Sequence, residues 1–120
     1  MWRIVQHPQA DDFVLATGEL HSVREFVECA FRCVGRAIDW TGRGINEVGL
    51  DRQTGKTLIC VDRHYYRPTE VDTLLGDPAK AGCELDWVHK TSFTDLVSEM
   101  VESDMQSISD PAWRKLQAAE

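Results

Sequence analysis

A helix is predicted over residues 23–34, where apolar side chains recur three and four positions apart. Ser22 precedes this stretch, and Glu25 follows three residues after it. That spacing is typical of a capping box, which satisfies the first backbone N–H groups of a helix. Gly35 stands where the helix should end, because glycine adopts the left-handed conformation of a helix C-cap without strain.

Three further helical segments are predicted. Trp2 and Val5, and with them Ile4, would face a core from the end of a short helix that Pro8 stops. Asp77 followed by Pro78 places an N-cap residue before the residue that best opens a helix. An apolar stripe predicts a last helix, which Pro111 is expected to end. The first two segments are residues 1–6 and 78–85, and the apolar stripe of the last helix runs over residues 93–105.

Short apolar runs between these helices predict strands. Residues 13–18 form an apolar run that ends in glycine, which is typical of a buried strand. Residues 38–40 predict a second strand, and residues 47–50 and 57–61 flank a polar turn as a hairpin does. The fold class is therefore α+β: a small domain of about four helices with short strands that include a hairpin.

The net charge of −7 over 120 residues bounds the partners of this chain. Phosphate backbones bind clustered Lys and Arg, so neither a nucleic acid nor an anionic membrane surface is expected as a partner. No apolar run is long enough to span a bilayer, and the first residues lack the features of a signal peptide. The four cysteines lack the spacing of a zinc site, so we expect reduced thiols and a cytoplasmic location.

No catalytic motif is found in the sequence, and no catalytic or metal-binding residue is assigned. Gly42-Arg43-Gly44 comes nearest to a dinucleotide-binding turn, but no capped apolar helix follows it. A P-loop, a His-Glu-x-x-His zinc motif and a Gly-x-Ser-x-Gly nucleophile turn are also missing. The four histidines are scattered and lack the spacing of metal ligands.

Residues 63–72 form a local basic cluster in this acidic chain. Arg67 offers a planar fork of donors that matches phosphate oxygens, and Pro68 restricts the backbone beside it. Residues 65–68 are predicted to be extended, because Pro68 disfavours helix at the residue before it. Glu70 only accepts hydrogen bonds when charged, so it could receive two neighbouring hydroxyls of a ribose. The alternative from chemistry alone is a surface Arg–Glu pair, which contributes little.

Several stretches together resemble the C-terminal part of enzymes of the GDP-mannose 4,6-dehydratase family. These enzymes are extended short-chain dehydrogenases/reductases. The resemblance covers roughly residues 2–105, in order, and the run that begins at Tyr65 is its most specific part. The matching stretches are residues 13–19, 21–27, 46–49, 54–62, 65–72, 75–77 and 93–101. Leu50 departs from this resemblance, because the family usually has a basic residue there; Val88-His89 also departs from it.

The resemblance implies a C-terminal nucleotide-sugar-binding subdomain over residues 1–105, followed by a tail over 106–120. The family converts GDP-mannose to GDP-4-keto-6-deoxymannose with a tightly bound NADP. The resemblance implies that Arg67 contacts the diphosphate and Glu70 the ribose. The family's cofactor turn and catalytic residues are not found in this chain, so it would lack the Rossmann half and carry no cofactor-binding residue.

Three hypotheses remain open at this point. The chain is a dehydratase fragment that binds GDP or GDP-mannose weakly and is inactive alone. It is a stand-alone nucleotide-sugar-binding module. Or it is a self-associating interaction module, in which a homo-oligomer covers apolar surface that would otherwise be exposed.

Overall fold

A computed structural model describes residues 1–67 and 74–109 of the chain. The helices are α1 (Trp2–Val5), α2 (Val23–Cys33), α3 (Ala79–Leu85) and α4 (Phe93–Ser109). The strands are β1 (Ile38–Thr41), β2 (Val48–Asp51) and β3 (Thr57–Cys60), and a single 3₁₀ turn spans Gly44–Asn46. This is a small α+β architecture with four helices and one sheet, which confirms the predicted fold class at that level.

The described residues fall into two compact units. The first contains Met1–His21 and the described part of Thr69–Ser92, so it holds α1 and α3. The second contains Ser22–Pro68 and the described part of Phe93–Glu120, so it holds α2, the sheet and α4.

The sheet of the second unit has three antiparallel strands in the order β1-β2-β3. Ile38 pairs with Asp51, and the β2–β3 ladder has an irregularity between Gly49 and Leu50. Gly49 is buried, and a side chain there would lie 2.9 Å from atoms of both Ile38 and Ile59. The absence of a side chain at Gly49 therefore lets its neighbours pack over β2. The predicted hairpin is confirmed.

Helix α2 begins as its sequence predicts. Ser22 is the N-cap, its hydroxyl accepts a hydrogen bond from the backbone N–H of Glu25, and the Glu25 carboxylate accepts one from the Ser22 N–H. This reciprocal pair is the predicted capping box. The helix ends at Cys33, one residue earlier than predicted, and the N–H of Gly35 donates to the Arg32 carbonyl.

Helix α4 packs on α2 and completes the core of the second unit. Phe26 and Phe93 meet edge to face, with ring centroids 6.4 Å apart. Val97 of α4 is fully buried, and Cys29 of α2 is buried as well. Helix α4 continues to Ser109, beyond the apolar stripe at 93–105, so residues 106–109 of the predicted tail are helical. Pro111 and the rest of the tail lie outside the described residues.

In the first unit, α1 lies against the end of α3 through Arg3. The Arg3 guanidinium donates to the carbonyls of Leu85, at 2.7 Å, and of Asp86, which would otherwise be unpaired at the helix end. This contact leaves the Trp2 and Val5 side chains 75% and 74% exposed. The prediction that these two residues face a core is therefore wrong, because the hydrogen bonds between α1 and the end of α3 come from the Arg3 guanidinium and do not cover either side chain.

The strand predicted over residues 13–18 is also wrong. No strand in the described part of the chain pairs with this segment. Instead it passes close to the backbone of Gly76, where an added side chain would lie 2.6 Å from Ala16. The apolar run therefore packs against a neighbouring chain segment instead of joining a sheet.

Asp51 at the end of β2 is 2% exposed, yet it is a carboxylate. Its Oδ1 accepts a hydrogen bond from the Gln53 N–H at 2.8 Å, and its Oδ2 accepts one from Arg36 at 2.5 Å. The backbone N–H of Gln53 and the hydroxyl of Thr54, assisted by the charge of Arg36, lower the pKa of Asp51 below its usual 3.8. The Asp51 carboxylate thus connects the hairpin turn to Arg36, which lies two residues before β1.

We expect Asp51→Asn to lower the urea midpoint of unfolding at neutral pH, because it removes a charged acceptor from a buried network. Since folding lowers the pKa of Asp51, its stabilisation is fully present above the unfolded value of about 3.9 and is lost as pH falls through the folded value. The difference in midpoint between Asp51→Asn and the parent chain should therefore shrink from pH 7 to pH 3. A constant difference across that range would contradict this account. Asp104→Asn, which alters an exposed aspartate of the same unit, is the matched control.

Candidate functional site

The segment that leaves β3 begins with a turn that Asp62 organises. The Asp62 carboxylate accepts a hydrogen bond from the His64 N–H at 2.8 Å. Its carbonyl accepts from the N–H groups of Tyr65 and Tyr66 at 3.2 and 3.1 Å. The sequence predicts an extended backbone from Tyr65 onward, but residues 63–65 form a turn. That prediction is wrong at Tyr65, because an aspartate side chain can close a local turn on its own backbone.

Tyr65 and Tyr66 differ in their surroundings. Tyr65 is 78% exposed, and its ring meets the His64 ring edge to face at 5.0 Å. Tyr66 is 42% exposed, and a side chain added at Gly44 would lie 3.4 Å from its hydroxyl. The Tyr66 hydroxyl therefore lies close to the 3₁₀ turn that connects β1 to β2.

Arg67 follows directly, and the structure places it at the surface. Pro68 and Glu70 lie outside the described residues. The structure therefore places Arg67 at the surface, directly after Tyr66, whose hydroxyl lies close to the 3₁₀ turn. That Arg67 and Glu70 contact the same ligand stays a prediction.

A charged cluster beside the same 3₁₀ turn was not predicted from the sequence. The guanidinium of Arg24 lies 4.9 Å from the centre of the Trp40 ring and forms an ion pair with Glu47, just after the turn. The indole N–H of Trp40 donates to Glu28 at 2.8 Å. Arg24 and Glu28 are four residues apart on α2, so they share one helix face, and that spacing was the available sequence signal.

The one candidate turn that the sequence offered, Gly42-Arg43-Gly44, does not have the geometry of a dinucleotide site. A dinucleotide site places a glycine-rich turn between a parallel strand and the N-terminus of an α-helix. Gly42-Arg43-Gly44 instead connects two antiparallel strands through a 3₁₀ turn. Within residues 1–67 and 74–109, no three His, Cys, Asp or Glu side chains come close enough together to hold a metal ion. None of the described helices is both long and apolar enough to cross a membrane.

A match to a known protein family covers most of the chain. Residues 1–100, which include β3, Tyr66 and Arg67, match the family model described as GDP-mannose 4,6 dehydratase. The chain therefore belongs to the GDP-mannose 4,6-dehydratase family.

Individual relatives agree with this assignment. The chain is 51% identical over 106 residues to human GDP-mannose 4,6 dehydratase, which covers 88% of the chain and 28% of the relative. It is 48% identical over 106 residues to the Drosophila melanogaster protein of the same name, covering 88% and 27%. It is 52% identical over 105 residues to GDP-mannose 4,6-dehydratase of Sinorhizobium fredii (strain HH103), covering 88% and 30%. The chain spans less than a third of the length of these relatives.

Gly42 is predicted to be essential for the turn that Tyr66 contacts. Its φ is +81°, and an added side chain would lie 2.2 Å from the Asn46 carbonyl oxygen. Gly55 has a similar φ of +67° but open space around it. Gly55→Ala should therefore cost about 1 kcal/mol from backbone strain alone, whereas Gly42→Ala should cost about 3 kcal/mol because a backbone clash is added.

Urea unfolding followed by circular dichroism measures both of these changes. Equal losses of stability in Gly42→Ala and Gly55→Ala would show that the close approach to Asn46 does not matter.

Proposed function

We propose that this chain is the part of a GDP-mannose 4,6-dehydratase that binds the GDP moiety of a GDP-sugar. It would be equivalent to the C-terminal subdomain of an extended short-chain dehydrogenase/reductase. The observation that carries this proposal is the position of Arg67. It lies within the family match, is exposed, and follows a tyrosine that contacts the 3₁₀ turn.

The proposed chemistry assigns one group of the ligand to each residue. The Arg67 guanidinium donates to oxygens of the diphosphate, where two parallel N–H groups match the geometry of phosphate. The Glu70 carboxylate accepts hydrogen bonds from the ribose hydroxyls. Arg67 is exposed, so water weakens the attraction between its charge and a phosphate. The affinity of this chain by itself should therefore be weak.

We also propose that the chain does not catalyse the reaction alone. In the full-length family, a bound NADP removes and returns the hydride as GDP-mannose becomes GDP-4-keto-6-deoxymannose. The glycine-rich cofactor turn and the catalytic set of the family have no counterpart among these residues. A cytoplasmic location is proposed as well, because all four cysteines are free thiols, which is typical of reducing compartments.

GDP should bind to the chain with a dissociation constant in the millimolar range, and Arg67→Ala should weaken binding roughly tenfold, because a charge-assisted hydrogen bond to phosphate is lost. Arg63→Ala is the matched control, since Arg63 is also an exposed arginine of this segment and the proposal gives it no role. Isothermal titration calorimetry with GDP and GDP-mannose measures all three proteins.

Absence of GDP binding at several millimolar, or equal weakening in Arg63→Ala and Arg67→Ala, would contradict the proposed site. Inactivity is tested separately by incubating the chain with GDP-mannose and NADP. Sustained formation of the 4-keto sugar would show that the chain is an enzyme by itself.

Self-association is a second candidate function, because α4 exposes large apolar side chains. Met105 and Ile108 on its last turns are 53% and 54% exposed, and Leu96 and Met100 are 48% and 46% exposed. Apolar surface of this kind commonly marks a protein interface. We propose that a second copy of the chain covers part of it.

Sedimentation velocity should show a dimer that weakens with dilution, and the double change Met105→Gln with Ile108→Gln should shift the chain to monomer. Val88→Gln, which alters an exposed apolar residue of the first unit, is the control and should leave the dimer unchanged. A strict monomer at high concentration would refute this candidate function.

A further inference from the structure

A cavity of about 300 Å³ lies in the second unit, between the end of α2 and the start of β1. Three arginines line it, out of nine in the whole chain. Three arginines of an acidic chain therefore meet at one place, and two of them are paired with aspartates. The lining residues are Glu28, Arg32, Arg36, Ala37, Ile38 and Arg52.

Two of these arginines are held in place by aspartates of the sheet. Arg36 donates from one Nη atom to the buried Asp51. Arg52 donates from Nε and Nη2 to Asp39, at 3.0 and 2.6 Å, which lowers the pKa of Asp39 and raises that of Arg52. A guanidinium has five N–H donors, so each arginine keeps donors for a further partner. The aspartates therefore reduce the entropy that the arginines would lose on binding a ligand.

Arg32 is different, because no hydrogen bond or ion pair engages its guanidinium within the described part of the chain. It lies in the last turn of α2, where a positive charge is stabilised by the helix dipole. The helix dipole favours a positive charge at this position without using any N–H group of the guanidinium. All five N–H groups of Arg32 can therefore donate to a ligand. Arg32 thus adds positive charge to the cavity that no aspartate of the sheet offsets.

Glu28 limits the kind of ligand that fits. Glu28 also lines the cavity, and its carboxylate accepts the Trp40 N–H, so its charge opposes the binding of an anion. A ligand must then carry more than one negative charge and several acceptor oxygens to gain from three arginines. We propose that this cavity binds a phosphate group, separately from the GDP site proposed at Arg67.

A titration with inorganic phosphate at constant ionic strength tests this site. Backbone and arginine Nε–H signals in ¹⁵N NMR spectra should shift at Arg32, Arg36 and Arg52, with saturation at millimolar phosphate. Arg32→Gln should weaken binding roughly tenfold, because it removes a charge-assisted contact. Glu28→Gln should tighten binding severalfold, because it removes the opposing charge and still accepts the Trp40 N–H.

Arg43→Gln is the matched control, since it makes the same change of charge at an exposed arginine outside the cavity. No shifts at the three cavity arginines, or equal weakening by Arg32→Gln and Arg43→Gln, would overturn the proposal. A parallel titration with adenosine monophosphate shows whether the site takes free phosphate alone or also a phosphate ester. Arg67→Ala should leave phosphate binding at the cavity unchanged, so the two proposed sites succeed or fail independently.

Discussion

A carboxylate that stays charged while almost fully buried organises the second unit of this protein. Asp51 is 2% exposed, and such a group is tolerated only when donors replace the water it has lost. Those donors come from the hairpin turn and from Arg36, which precedes β1. The same residue continues the backbone pairing of the turn, since its N–H donates to the Lys56 carbonyl at 2.8 Å. One side chain therefore joins the turn, the sheet and the segment that follows α2.

The surface features of this unit depend on that arrangement. Pairing with β2 extends to Cys60 at the end of β3, and the turn that Asp62 closes follows directly. Tyr66 and Arg67 come after this turn. Arg36, which lines the arginine-lined cavity, donates a hydrogen bond to Asp51. The proposed GDP contact and the proposed phosphate cavity thus rest on the same three short strands.

Much of the secondary structure could be predicted from the sequence, because its signals are local. The capping box at Ser22 and Glu25 joins groups only three residues apart, and the hairpin is marked by polar residues between two apolar runs. The failures arose where a distant segment decides the outcome. Residues 13–18 have the composition of a strand but find no strand to pair with in the described chain, and Trp2 is exposed because α1 contacts α3 through Arg3.

The sequence by itself determined the family and the two residues proposed to hold GDP, because a run such as Tyr65-Tyr66-Arg67 is recognisable without coordinates. Only the tertiary structure decided that Tyr66 reaches the turn at Gly44, and that Arg32, Arg36 and Arg52 line one cavity. Arg32 lies in the last turn of α2, Arg36 lies before β1, and Arg52 follows β2. Strand pairing brings them together across up to 20 positions of sequence, a relation that no local pattern of residues encodes.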